Sequence, residues 1–130
     1  MDYISKEKAE LHLKLGRTLA IFVKVDRFFE SLTFDWIALE KHGSVFKITL
    51  IRSINEGDEI FNDVLSFNTL NQYETDYDEV TNPFFIGELH DCYQWIETNY
   101  SIKEISFVRL EYLKSIYTDL VKSGAFDTDM

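Results

Sequence analysis

The chain has one cysteine, one proline and five glycines in 130 residues, no long apolar run, and no lysine or arginine in the 50 residues from 53 to 102. Each scarcity excludes something. A lone Cys92 makes no internal disulfide and no cysteine-based zinc site. His90 and Asp91 precede it, but adjacent residues on a helix point about 100° apart, so His90 is badly placed to activate it. Cys92 therefore reads as a buried structural thiol. The apolar runs stop short of the roughly 18–20 residues of a membrane span. The opening Met1-Asp2-Tyr3-Ile4-Ser5-Lys6 lacks the basic-then-apolar order of a secretory signal. These two features predict a cytoplasmic chain without membrane contact. The glycines compose no phosphate-cradling loop and no Gly-x-Ser-x-Gly turn, and His-Glu-x-x-His is absent. His12, His42 and His90 lie far apart and read as structural or surface histidines. No metal or cofactor is expected.

What is present argues for one packed domain. Apolar residues make up 45% of the chain, and 11 Phe, 7 Tyr and 2 Trp supply large core side chains. That is enough for a single core and too little for two. Ser5 is placed to cap a short helix over 5–15 with Gly16 as its stop, although the Leu11, Leu13, Leu15 alternation is equally strand-like. Residues 18–25 are β-branched and aromatic and suit a strand; a helix running on to about Glu30 is the alternative. Over 33–67, three strand-like segments separated by Lys41-His42-Gly43-Ser44 and Asn55-Glu56-Gly57-Asp58 predict an antiparallel β-meander. In its last strand Phe61, Leu65 and Phe67 share a face. Two amphipathic helices follow over 84–124, one carrying Ile86, Leu89, Cys92 or Tyr93, Ile96 and Tyr100, the other Leu110, Leu113, Tyr117, Leu120 and Val121. Pro83 opens the first and Gly124 closes the second. The expected fold class is α+β: a meander of three to four strands with one face covered by the two C-terminal helices, preceded by a short N-terminal helix. Trp36 and Trp95 are expected to be largely buried.

Charge is the feature that departs from an ordinary globular chain. The formal net charge is −10, from 23 acidic and 13 basic residues, which disfavours direct binding to nucleic acid or to an anionic membrane. The base-free interval 53–102 carries eleven acids and a net −11, so the rest of the chain is at +1. Two clusters stand out within it: the turn with Glu56, Asp58 and Glu59, and the connection 71–83 with Tyr73, Glu74, Asp76, Tyr77, Asp78 and Glu79. Without nearby cations these carboxylates repel over a Debye length of about 8 Å, a cost that a cationic partner relieves. Interleaved tyrosines add rigid contact area. A solvated acidic loop is the plain alternative. Asp76-x-Asp78 is a fragment of a calcium loop, but the glycine at its sixth position and the glutamate at its twelfth are missing. Scattered carboxylates also permit a small hydrolase or isomerase, and an adaptor or subunit role is a third reading.

The run Asn55-Glu-Gly-Asp-Glu59 leads into Asp63-Val-Leu-Ser-Phe67, and Trp95-Ile-Glu-x-x-Tyr100 follows, in a small, acidic α+β chain without a catalytic motif. In this general character the chain resembles the immunity proteins that neutralise bacterial polymorphic or contact-dependent toxins. The resemblance implies a non-enzymatic toxin inhibitor that acts by tight binding, and it implies no particular contact residues. Together with the charge layout it predicts a basic protein partner, such as a cognate toxin acting on nucleic acid, met by the two acidic clusters.

Overall fold

The computed structural model describes residues 3–70 and 84–126. Helix α1, Lys6–Lys14, starts where Ser5 accepts the Lys8 N–H at 3.3 Å, and the backbone then turns away at Gly16, φ 86°. Strands β1 (Leu19–Phe28), β2 (Ser31–His42) and β3 (Val45–Ile54) form consecutive antiparallel hairpins. Strand β4, Phe84–Gly87, joins the outer edge of β3, α2 runs Leu89–Tyr100, and β5, Val108–Arg109, pairs with β1. The sheet order is β4-β3-β2-β1-β5. Helix α3, Leu113–Ser123, ends at Gly124 in the left-handed conformation, as its sequence position suggested. The fold is α+β.

The sheet is covered on both faces, not on one. Leu19, Ile21, Ile37, Leu39, Phe46 and Ile48 pack beneath α1 and α2, with Ala9, Leu13, Cys92 and Ile96. Ala20, Phe34, Trp36 and Val108 pack on the opposite side beneath α3, with Leu113, Ile116, Tyr117, Val64 and Phe67. The expectation that both C-terminal helices share a face is therefore corrected. Strand β2 alternates large side chains to both sides, Ile37 and Leu39 one way and Phe34 and Trp36 the other, so each face needs a cover. Burying each such side chain is worth about 1.5–3 kcal/mol, which fixes both layers.

The meander also has different bounds. It is made of β1, β2 and β3, and the residues directly after Ile54 do not continue it: 55–67 form a loop with a 3-10 turn at Val64–Ser66. Asn55-Glu56-Gly57-Asp58 is thus no hairpin turn. Within 61–67, Phe67 is buried while Phe61 and Leu65 face solvent. Residues 19–25 of the predicted 18–25 belong to strand β1, which rules out the alternative helix to Glu30. Its hairpin partner begins after a two-residue link, Phe29-Glu30, with Phe29 at φ 57° and 69% exposed. The predicted first C-terminal helix begins later than Pro83 suggested, because residues 84–87 are β4; Ile86 lies on that strand. Trp36 is buried as expected, but Trp95 is only half-buried. Among the described residues no helix is long and apolar enough to cross a membrane.

Candidate functional site

Loop 55–67 owes its shape to its own acids. The Glu56 carboxylate accepts the Asn68 backbone N–H at 2.5 Å and its side-chain amide at 2.9 Å, clamping the two ends together. Asp58 Oδ1 accepts the N–H groups of Ile60 at 2.8 Å and Phe61 at 2.9 Å, a side-chain-closed turn of the kind aspartate favours. Those two bonds, Phe61's the larger, hold the Asp58 carboxyl below its usual pKa. Glu59 is exposed and makes the tip acidic. The base of the loop is tied to α3: the Tyr117 hydroxyl donates to Asn55 Oδ1, Asn62 Nδ2 donates to Thr118 Oγ1 at 2.9 Å, and the Phe67 and Tyr117 rings meet edge-on at 5.3 Å. An ordered loop thus presents Ile60 and Phe61, 81% and 71% exposed, between Asp58, Glu59 and Asp63. Glu56, Asp58 and Glu59 fall together here. Tyr73, Glu74, Asp76, Tyr77, Asp78 and Glu79 lie outside the described residues.

A second arrangement escaped sequence reasoning. The β1–β2 register shifts between Phe22 and Lys24, which sets Lys24 opposite Asp35 and Asp26 opposite Thr33. Asp35, 2% exposed, accepts the Thr33 hydroxyl at 2.7 Å and the Arg52 Nε at 3.4 Å; Arg52 Nη2 reaches Asp26 at 3.3 Å. Burial raises the Asp35 pKa against the opposing pull of Thr33 and Arg52, and the Asp26 charge raises it further. The Arg27 N–H leads the effects that leave Asp26 below its ordinary value, with Lys24 and Arg52 adding to it. The sequence signal was there: an aspartate inside Thr33-Phe34-Asp35-Trp36 must be buried and partnered. All four groups satisfy one another, so the cluster serves to hold three strands together.

The third feature is a groove of about 330 Å³ lined by Phe85, Asp91, Gln94, Trp95, Thr98 and Asn99. The Phe85 and Trp95 rings stack at 6.0 Å and 22°, and Tyr100 meets Trp95 edge-on at 5.6 Å. Cys92, on the same helix but turned into the core, lies 3.8 Å from the Phe46 carbonyl oxygen and 3.7 Å from that of Gly87. Burial pushes its pKa up to about 11, so the thiolate a nucleophile requires is disfavoured. Among the described residues no three His, Cys, Asp or Glu side chains gather as metal ligands would. No protein-family model, no curated protein and no solved structure matches this chain.

Proposed function

We propose that the chain is a non-enzymatic acidic binding protein, an immunity protein of a bacterial cell's cytoplasm, that neutralises a cognate toxin by occluding its basic surface. The observation that carries this reading is the loop tip: Ile60 and Phe61 held in water by an Asp58-closed turn, inside the segment that supplies the protein's whole charge excess. Leaving two large apolar side chains exposed on an ordered loop gains nothing for the isolated chain. At an interface it supplies an apolar centre with a charged rim, the usual anatomy of a protein contact. The acids on either side steer a cationic surface toward it, and against a nuclease they stand where phosphates would.

The same reading gives the acidic connection its part, with Tyr73 and Tyr77 as contact area among Glu74, Asp76, Asp78 and Glu79. The test begins with the neighbouring gene. If it encodes a toxin domain, that domain should bind this chain with an affinity that falls as salt rises. Replacing Glu59, Glu74, Asp76, Asp78 and Glu79 by their amides should slow association about tenfold or more at low salt and flatten the salt dependence. An unchanged salt profile would remove the acidic segment from the interface, and a metabolic operon around the gene would sink the immunity role.

A further inference from the structure

We propose that the groove between β4 and α2 receives an arginine side chain of the basic partner, a proposal that rests on the docking reading above. Asp91, Gln94, Trp95 and Thr98 recur at helical spacing along one stripe of α2, and Phe85 of β4 closes the other wall. The aromatic part of the lining is the Phe85 and Trp95 rings, stacked on one another. Asp91, exposed on the first turn of α2, supplies the negative charge. Asn99 donates its Nδ2 to the Trp95 carbonyl at 2.8 Å, which leaves its amide oxygen to accept. Gln94 brings a second amide oxygen.

Among the described residues no lysine or arginine pairs with these groups. Every lining residue falls in the base-free interval 53–102. Lys47, opposite Ile86 in the sheet, places its ammonium over the Phe84 ring at 5.4 Å, on the face away from Phe85. Lys6 pairs with Glu97, which lies off the Asp91–Trp95 stripe. Aromatic faces, one carboxylate and amide acceptors suit a planar, weakly hydrated guanidinium better than a compact ammonium. The place also fits the docking reading. Thr69 bridges to Ser53 and β4 pairs with Phe46 to Thr49, so described residues of the base-free segment meet β3 at two places.

The test is a titration of the full isotope-labelled chain with N-acetyl-arginine methylamide, read at the Trp95 indole N–H, with the uncharged citrulline derivative as control. Saturable shifts centred on Trp95, Phe85 and Asp91 are expected with the arginine compound only. Asp91→Asn, at an exposed position, should weaken them roughly threefold. Equal shifts with citrulline, or shifts that Asp91→Asn leaves unaltered, overturn the proposal. In the complex, Asp91→Asn and Trp95→Phe should each weaken the partner by a similar factor. If the partner binds both variants as tightly as the parent, the arginine site fails while the docking reading stands. If the arginine compound fills the groove but no basic protein binds the chain, the groove keeps its chemistry and the docking reading fails.

Discussion

A β-carbon on Gly57 would run into the carbonyl oxygen of Phe61 and come within 2.6 Å of the Phe67 ring. The first obstacle is backbone and the second is a buried ring, so neither can yield cheaply. Gly57 is the residue that lets the chain fold back beneath its own tip, and Asp58 then fixes the return through the Ile60 and Phe61 N–H groups. Gly57→Ala should lower stability by about 1–3 kcal/mol, the cost of overpacking a filled site, as measured by chemical denaturation. The loss should fall on the loop as well: hydrogen exchange at Ile60 and Phe61 should quicken, since their amide bonds to Asp58 depend on this close approach. The glycine was legible in the sequence as a turn residue. Its reason was not, because the contacts that demand it come from the Phe61 carbonyl, where the chain folds back, and from the Phe67 ring, ten residues on.

Elements were legible where local chemistry and tertiary packing agree. Gly43 at φ 63° marks the β2–β3 hairpin, Ser5 caps α1, and Gly124 ends α3. The β1–β2 hairpin was hidden because its turn uses Phe29 at positive φ, where glycine or asparagine would have signalled it. Loop 55–67 mimicked a strand because Phe61, Leu65 and Phe67 keep an even spacing, while Asp58 and Asp63 give the backbone local turns instead. Ile86 fits the helical stripe of α2 by spacing, yet the chain stays extended through Gly87. The Asp26–Arg52–Asp35 cluster was hidden for a similar reason. It depends on the register shift in β1, which no count of residues along the strand reveals.

That cluster ties β1, β2 and β3 together and makes stability depend on pH. Asp35 has a folded pKa raised above its ordinary 3.8, so between those two values the folded chain holds more protons than the unfolded one. In that window stability falls as pH rises. Asp26 and Asp58 are shifted the other way; their contribution is complete above their ordinary value and is lost on acidification below it. Arg52→Met removes the cation that offsets Asp35's burial. It should cost about 3 kcal/mol near neutral pH, the scale for breaking a buried pair. The penalty should shrink on acidification, as Asp35 takes up a proton and no longer needs a cation. Denaturation of the variant and its parent from neutral pH downward checks the sign.

For the whole molecule, the acidic excess has an address. The described acids of the base-free segment divide into those that shape the loop, Glu56 and Asp58, one that pairs with Lys6, Glu97, one at the start of α2, Glu88, and those that face solvent around apolar side chains, Glu59, Asp63 and Asp91. The acidic turn was legible in the sequence as a charged place. Its apolar tip was not, because Phe61 reads as strand core when only its even spacing with Leu65 and Phe67 is considered. The most direct measurement of the central claim is the affinity of the double variant Ile60→Ser, Phe61→Ser for the basic protein proposed as its partner. Both side chains are exposed, so thermal stability should stay within about 0.5 kcal/mol of the parent. Binding should weaken by about 2–4 kcal/mol, roughly 30- to 1,000-fold, if these residues anchor the interface. Parental affinity in a stably folded double variant would contradict the account.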